Sequence, residues 1–285
     1  MVFFQDVVLF LTWKLLNNLH IILKIPFIFF VLMRVAIITW ASSWLWREFI
    51  SPLYRTSVDQ IRLLARSWDK LKEICAEYWE RVIPYVIDLS KKEEINLFIE
   101  SLKATWAEVM YLVNNAGFWT FWSFEGVELE NSLRMVDVNI KAMVDLIGWC
   151  LPYMGKESHI INVSSMASFQ PVPYMSVYAW TKAFIKNYSR ALNIELKDKY
   201  ITVTAVCPWW MKTWFMDVAN VGAKKTPKKY VHLANPEYVA EKALRDAEKW
   251  KDISVYWWYP KMIRFFSFIV PDKILMKSWL RQQDL

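Results

Sequence analysis

The stretch VAIITWASSWLW, residues 35–46, decides the fold. It begins with five apolar or β-branched residues, as a strand buried on both faces of a sheet requires, and continues into a short turn-like segment. Six more runs of this kind follow, separated by longer amphipathic segments. The seven predicted strands are VAIIT (35–39), IRLLA (61–65), VIPYVI (82–87), VMYLV (109–113), HIINV (159–163), ITVTAV (201–206) and ISVYW (253–257). Strands that alternate with helices predict a doubly wound α/β fold around one parallel sheet.

Two of the intervening helices have recognisable starts. Residues 90–105 follow a capping pattern, with Ser90 as the N-cap and Glu93 three residues later. Residues 236–249 have Asn235 as the N-cap and Pro236 in the first turn. We expect helices to begin at both caps.

The composition is abnormal in two residue types. The chain has 5 glycines and 18 tryptophans in 285 residues, whereas average glycine usage of about 7% would give roughly 20 glycines. The two counts taken together come close to a normal glycine content. The positions of the tryptophans therefore need an explanation.

In TWASSWLW (39–46), Trp40, Trp44 and Trp46 have the spacing of the three glycines in the TGxxxGxG turn of short-chain dehydrogenases/reductases. Residues 34–260 resemble this family, and the resemblance implies a Rossmann fold with a seven-stranded parallel sheet and an NAD(P)-dependent oxidoreductase. Tryptophan also replaces the family's glycines at Trp119 and Trp122, in NNAGFWTFW (114–122), and at Trp209, in CPWWMKT (207–213). Such turns need residues without Cβ where the backbone approaches a pyrophosphate.

One hypothesis accounts for all these positions. A TGA codon that the source organism reads as glycine has been translated as tryptophan. The alternative is an altered or decayed protein in which the tryptophans are genuine. Mass analysis of native peptides that contain positions 40 and 44 separates the two.

The resemblance also implies a set of cofactor contacts. Asp88 and Leu89 match the family pair that contacts the adenine, and Thr213 matches the residue that holds the nicotinamide carboxamide. The predicted cofactor-binding residues are Thr39, Trp40, Ser42, Ser43, Trp44, Leu45, Trp46, Arg66, Asp88, Leu89, Asn115, Ala116, Gly117, Tyr178, Lys182, Pro208 and Thr213.

The end of the second predicted strand indicates which dinucleotide binds. The sequence there is LLARS (63–67), which has Arg66 and no carboxylate for the ribose hydroxyls of NAD(H). A guanidinium suits a 2′-phosphate, so the segment favours NADP(H) over NAD(H). The alternative is an arginine that only reaches solvent from an exposed strand end.

The predicted catalytic residues are Asn139, Ser165, Tyr178 and Lys182. Tyr178 and Lys182 are four residues apart and so share one face of a helix. The resemblance implies that Tyr178 is the general acid and base, that Lys182 and the nicotinamide charge lower its pKa, and that Ser165 binds the substrate oxygen. It also implies that Asn139, in VDVNIKA (136–142), holds a relay water.

The two ends differ from the middle of the chain. We predict a hydrophobic N-terminal extension over residues 1–33, a Rossmann domain over 34–260 and a basic amphipathic tail over 261–285. The extension is interrupted by charges and lacks the roughly 18 uninterrupted apolar residues of a spanning helix, so it is either an interfacial anchor or a segment upstream of a true start at Met33. The tail either lines an apolar pocket, docks on a membrane or forms a subunit contact.

Charge and cysteine content exclude several other classes. The formal charge is +7, and most of the excess lies in the two apolar ends, which favours an anionic membrane surface over nucleic acid. Cys75, Cys150 and Cys207 are widely spaced and have no histidines at metal-ligand spacing, so we expect reduced thiols, no metal and a cytoplasmic protein. Residues 214–232 contain four lysines and are expected to close over the substrate.

The sequence thus predicts an NADP(H)-dependent oxidoreductase that interconverts a carbonyl and an alcohol on a small or apolar substrate, as a homodimer or homotetramer. One alternative is a membrane-associated lipid or acyl-chain ketoreductase. The other is a catalytically inactive Rossmann binding protein, which follows if the tryptophans at the glycine positions are genuine.

Overall fold

The computed structural model describes residues 32–39, 45–78, 80–211 and 232–285, with the backbone alone at Trp46. Its sheet has seven parallel strands in the order β3-β2-β1-β4-β5-β6-β7, which confirms the predicted fold. The order reverses between β1 and β4, where ligands bind in sheets of this type. The strands are β1 (Met33–Thr39), β2 (Gln60–Ala65), β3 (Val82–Val86), β4 (Ala107–Asn114), β5 (Ser158–Val163), β6 (Ile201–Val206) and β7 (Ile253–Ser254).

Helices cover both faces of the sheet because β1 has apolar side chains on both. Ala36 and Ile38 belong to one buried cluster, with residues of α1 and α7, while Val35 and Ile37 belong to another, with residues of α3, α5 and α6. The helices are α1 (Leu45–Tyr54), α2 (Trp68–Glu77), α3 (Lys92–Ala104), α4 (Leu129–Val136), α5 (Ala142–Cys150), α6 (Ser176–Glu195), α7 (Pro236–Glu248), α8 (Trp258–Ile269) and α9 (Asp272–Gln282).

One predicted helix start is confirmed and the other is wrong. Asn235 caps α7, and its side chain accepts a hydrogen bond from the Glu237 amide at 2.9 Å. Helix α3 begins after Lys91 rather than at Ser90. The Ser90 amide and hydroxyl instead donate to the Asp88 carboxylate, at 3.0 and 2.8 Å, and this local turn ends before the helix begins.

The last strand is shorter than predicted. Only Ile253 and Ser254 pair with β6. The chain then turns at Trp257, which directly precedes α8 and has φ of 73° and ψ of 164°. Strand pairing cannot continue through this conformation, so residues 255–257 lie outside the sheet.

Three tryptophans have left-handed backbone conformations, in which a side chain is strained and glycine is favoured. They are Trp106, Trp250 and Trp257, with φ of 49°, 58° and 73°. Trp250 follows the C-cap of α7, where the Trp250 amide donates to the Ala247 carbonyl and the Lys251 amide to the Asp246 carbonyl. This pair of bonds is the Schellman motif, whose left-handed position is usually glycine.

In the part of the chain that the structure describes, no helix has the length and apolar character needed to cross a bilayer. The same residues contain no group of His, Cys, Asp and Glu side chains that could hold a metal ion. The predicted segment boundaries at residues 33 and 260 stay predictions.

Candidate active site

Three of the predicted catalytic side chains meet beyond the carboxyl end of β5. Ser165 precedes a short turn, and its Oγ accepts a hydrogen bond from the Ala167 amide at 3.1 Å. Tyr178 and Lys182 lie one turn apart on α6, and the Lys182 Nζ is 5.7 Å from the centroid of the Tyr178 ring. The Ser165 side chain lies close enough to the Tyr178 hydroxyl to lower the pKa of that group.

Buried polar contacts hold α6 against β5. The Lys182 Nζ donates to the Val163 carbonyl at 2.8 Å, and the Ser164 hydroxyl donates to the Lys182 carbonyl at 2.7 Å. About two turns further along α6, the Asn162 side-chain amide donates to the Ser189 hydroxyl at 2.9 Å. Buried polar groups need such partners, so these contacts align α6 on the strand and place Tyr178 beside Ser165.

Burial controls the protonation of the pair. Desolvation raises the pKa of Tyr178 to about 12, an effect that the nearby Ser165 side chain only partly offsets. Desolvation also lowers the pKa of Lys182 to about 8. In the protein without ligand the pKa of Tyr178 is raised and that of Lys182 is lowered, because both groups lie away from water and the charged form of each is disfavoured. At neutral pH the site therefore holds a phenol and an ammonium. The predicted lowering of the tyrosine pKa by Lys182 and the nicotinamide charge together stays a prediction.

Asn139 lies in a π-helical turn, Asp137–Lys141, between α4 and α5. Its side chain is buried and accepts from the Phe118 amide at 3.0 Å. It also donates to the Phe118 carbonyl at 3.0 Å and to the Thr181 hydroxyl at 3.1 Å. Asn139 therefore joins the loop after β4 to the helix that carries Tyr178. Its predicted contact with a relay water stays a prediction.

The loop after β4 passes directly under these side chains. A Cβ added to Gly117 would lie 3.0 Å from the Asn139 Oδ1 and 3.3 Å from the Lys182 Nζ, so this position favours glycine. The Thr39 hydroxyl, at the end of β1, accepts from the Asn115 and Ala116 amides, both at 3.0 Å. These bonds hold together the ends of β1 and β4, which flank the switch point of the sheet.

The side chain of Asn115 is unusual because it is buried and its amide nitrogen lacks a hydrogen-bond partner among the described residues. Asn115 lies at the edge of the cavity described below. A buried donor without a partner costs free energy. The position therefore suits a ligand with an acceptor group.

Arg66, Asp88 and Leu89 lie on the β2 and β3 side of the switch point. Arg66 is exposed directly after β2 and Leu89 is buried. Although burial would raise the pKa of Asp88, hydrogen bonds from Ser90 and the charge of Arg66 hold it below its usual value. The predicted positions Trp40, Ser42, Ser43, Trp44 and Thr213 lie outside the described residues, as do the four lysines of the segment that is expected to close over the substrate.

A cavity of about 300 Å³ lies next to the catalytic side chains. Leu45 and Pro208, both predicted cofactor contacts, line it together with Ser165, Tyr178 and Lys182. Two further tryptophans at predicted glycine positions, Trp119 and Trp209, also line it, and the ring of Trp119 lies 6.2 Å from that of Tyr178.

Helices α8 and α9 of the tail supply the far wall of this cavity. This agrees with the first of the three roles predicted for the tail, the lining of an apolar pocket. The wall residues from α8 and α9 are mainly apolar. None of them is among the predicted catalytic or cofactor-binding residues, although pocket lining was among the roles predicted for the tail. These wall residues are Tyr259, Ile263, Phe266, Leu275, Ser278, Trp279 and Gln282. Their spacing of i, i+4 and i+7 on each helix was a usable signal, but it does not say which surface the stripe covers.

Comparisons with known proteins agree with this geometry. A family model described as short chain dehydrogenase matches residues 34–222, and the chain belongs to the short-chain dehydrogenase family. It is therefore an oxidoreductase of a family whose fold binds NAD(P).

Two relatives and one solved structure illustrate the likeness. An uncharacterised oxidoreductase of Staphylococcus saprophyticus is 27% identical over 217 residues, which cover 74% of this chain and 89% of that protein. The very-long-chain 3-oxoacyl-CoA reductase of Anas platyrhynchos is 28% identical over 216 residues, which cover 70% of this chain and 67% of that protein. A short-chain dehydrogenase/reductase of Burkholderia phymatum in complex with NAD has a TM-score of 0.73 at 16% identity, covering 86% of this chain and 95% of that one, and shares the fold.

Proposed function

We propose that this chain is an NADP(H)-dependent reductase of an apolar ketone or aldehyde. The observation that carries the proposal is the meeting of Ser165, Tyr178 and Lys182 at the wall of a largely apolar cavity. An acid, a cation beside it and a second hydroxyl are what a carbonyl needs as its oxygen gains negative charge.

The described residues fit a dinucleotide on the nicotinamide side. Asn115 presents an unpaired buried donor, and Gly117 leaves bare backbone below Lys182. When bound, the reduced nicotinamide supplies the hydride. Asn115, Ala116, Gly117, Tyr178 and Lys182 would hold that half of the cofactor.

The protonation states favour reduction over oxidation at neutral pH. Tyr178 is a neutral phenol and can donate its proton to the carbonyl oxygen, which the Ser165 hydroxyl orients. The cationic Lys182 then stabilises the phenolate that remains. In the direction of oxidation, Tyr178 would have to begin as a phenolate, which its pKa of about 12 disfavours.

NADP(H) is the preferred cofactor because of the end of β2. Arg66 is exposed there, and its charge acts on Asp88 after β3. A guanidinium in this place suits a 2′-phosphate, and the carboxylate that would select the NAD ribose is missing from the segment LLARS.

A narrower candidate is the reduction of a 3-oxoacyl thioester. The apolar tail residues that wall the cavity favour an acyl chain, and the named relative from Anas platyrhynchos is a 3-oxoacyl-CoA reductase. Both candidates share the same catalytic residues, and they differ in the substrate, which in the narrower case has an acyl chain and a thioester beside the reacting ketone.

The test uses a glycine form, in which Trp40, Trp44, Trp46, Trp119, Trp122 and Trp209 are replaced by glycine. NADPH absorbance is followed with a panel of ketones, aldehydes and 3-oxoacyl thioesters of increasing chain length. We expect turnover that favours apolar substrates. If the glycine form binds NADPH but reduces none of them, the reductase proposal is wrong; if it does not bind NADPH, the nonenzymatic alternative is supported.

A further inference from the structure

The two tail helices present opposite faces to the cavity and to solvent. On α8, Tyr259, Ile263 and Phe266 line the cavity. Phe265, Phe268 and Ile269 recur at i, i+3 and i+4 around the other side of the same helix. Helix α8 therefore has a second face that does not line the cavity, and the same holds for α9, as described below.

The outer face of α8 is apolar and exposed. Phe265, Phe268 and Ile269 are 61%, 71% and 63% exposed. Among the described helices of the Rossmann domain, α1 to α7, none exposes more than two large apolar side chains. Phe268 has an edge contact with Phe169, with the ring centroids 6.4 Å apart, so the patch is ordered against the domain. An exposed apolar patch of this kind marks an interaction site.

The outer face of α9 is basic. Lys273, Lys277 and Arg281 recur at intervals of four residues and are exposed, on the side opposite to Leu275 and Trp279, which line the cavity. Lys261 adds a fourth exposed cation on the outer side of α8. The acidic residues of the tail are only Asp272 and Asp284.

We propose that the outer faces of α8 and α9 form a docking surface for an anionic lipid bilayer. The surface consists of the exposed apolar residues Phe265, Phe268, Ile269 and Ile274 and the exposed cations Lys261, Lys273, Lys277 and Arg281 of the same two helices. Apolar side chains enter the boundary between headgroups and acyl chains, and the cations pair with anionic headgroups. Charge complementarity selects this occupant, because a second copy of a face with this excess of lysine and arginine would be repelled.

The docking surface meets the cavity at Phe266. Phe266 lines the cavity and is also partly exposed, so one wall of the cavity and the docking surface share a helix. None of the residues of the surface is a tryptophan. The proposal is therefore the same whether or not the tryptophans at the turns are genuine, and it does not depend on turnover.

The experiment is co-sedimentation of the full chain with vesicles, without cofactor or substrate. One set of vesicles contains equal parts of phosphatidylcholine and phosphatidylglycerol, and the other contains phosphatidylcholine alone. We expect binding to the anionic vesicles that weakens as salt is added. Equal binding to both sets would overturn the proposal, as would the absence of binding.

Two paired variants locate the contact. Phe265→Ser with Ile269→Ser removes exposed apolar groups that do not line the cavity, and we expect binding to weaken about tenfold. Lys273→Glu with Lys277→Glu should weaken it by at least about tenfold, since each charge contributes about fivefold. Matched controls are Leu97→Ser with Leu129→Ser, which are exposed on α3 and α4, and Lys92→Glu with Lys249→Glu; these should bind like the parent chain.

Other occupants give different results. If residues 1–31 carry the binding, both tail variants will bind as well as the parent, and the proposal fails. If a second copy covers the patch, sedimentation velocity without lipid will show a dimer that Phe265→Ser with Ile269→Ser dissociates, and the proposal also fails. A glycine form that binds vesicles in the expected pattern and binds NADPH but reduces no carbonyl would overturn the proposed reductase and leave the docking surface intact.

Discussion

The catalytic corner (Ser165, Tyr178 and Lys182) and the glycine turns (positions 40, 44, 46, 119, 122 and 209) are both parts of the family pattern, yet only the first has the expected residues. The corner depends on functional groups, and its three side chains lie together at the wall of the cavity, with Tyr178 and Lys182 buried. The turns depend on the lack of a side chain, and each carries an indole. A mutated enzyme that had lost its function would have no reason to preserve one set and alter the other in a single way.

Positions outside the family motifs extend the comparison. Trp106, Trp250 and Trp257 have left-handed backbones, and Trp250 occupies the glycine position of a Schellman motif. Backbone geometry and motif spacing are independent signals. At Trp250 the left-handed backbone and the Schellman hydrogen bonds both favour glycine, which supports the codon hypothesis.

The largest expected effect tests the catalytic corner. In the glycine form, Tyr178→Phe should lower kcat by about 10² to 10⁴-fold, because the proton donor is lost. NADPH affinity, measured by fluorescence titration, should change by less than about twofold, because a phenyl ring keeps the packing. The matched control is Tyr188→Phe on the same helix, where Tyr188 stacks on Phe184 away from the cavity; retained activity in Tyr178→Phe would mean that the acid is misplaced.

The next effect tests the glycine turns. We expect the glycine form to bind NADPH at least about a hundredfold more tightly than the tryptophan chain, because a pyrophosphate must lie against bare backbone. Fluorescence titration measures both dissociation constants. Equal affinities, or tryptophan mass at position 40 or 44 in peptides from the native source, would contradict the codon hypothesis.

A pH profile tests the pairing of Tyr178 with Lys182. The pKa of Lys182 is about 8, so the ammonium is present below this pH and is lost above it. Since Tyr178 stays protonated until about pH 12, kcat/KM for reduction should be level below pH 8 and fall about tenfold for each further pH unit. A profile that stays level to pH 10 at saturating NADPH would show that the charge of Lys182 does not assist the reaction.

Arg66 tests the cofactor preference. In the glycine form, Arg66→Glu should shift the ratio of NADPH to NADH affinity about tenfold toward NADH, because a carboxylate repels the 2′-phosphate and can accept from ribose hydroxyls. Lys103→Glu, an equal charge change at the far end of α3, serves as the control. An unchanged ratio would remove Arg66 from the phosphate site.

The smallest effect concerns stability at single tryptophans. Trp250→Gly should raise the free energy of unfolding by about 1 kcal/mol, because the left-handed backbone strains a side chain. Trp180, which is exposed in the middle of α6, provides the contrast, since Trp180→Gly should lower it by about 0.5 kcal/mol. Urea unfolding measures both, and changes of the same sign would break the comparison.

The strands and the catalytic corner could be predicted from local pattern. Each strand was found within two residues at its start because a parallel sheet requires apolar runs, and Tyr178 and Lys182 had to share a helical face. The end of β7 and the start of α3 could not be predicted in this way. The first depends on the backbone conformation at Trp257, and the second depends on the turn in which Ser90 donates to the Asp88 carboxylate. The spacing of the tail side chains was visible, but the surface they cover was not.

The sequence alone determined the class of fold and predicted which residues are the acid, the cation and the hydroxyl of the proposed reaction, because strand period, helical spacing and motif order are local properties of the chain. Only the tertiary structure decided that α8 and α9 wall the cavity, that Tyr178 and Lys182 are both removed from water, and that Trp250 has a left-handed backbone. These features arise when segments distant in sequence pack together. Burial and backbone angles are consequences of that packing, and no residue carries them by itself.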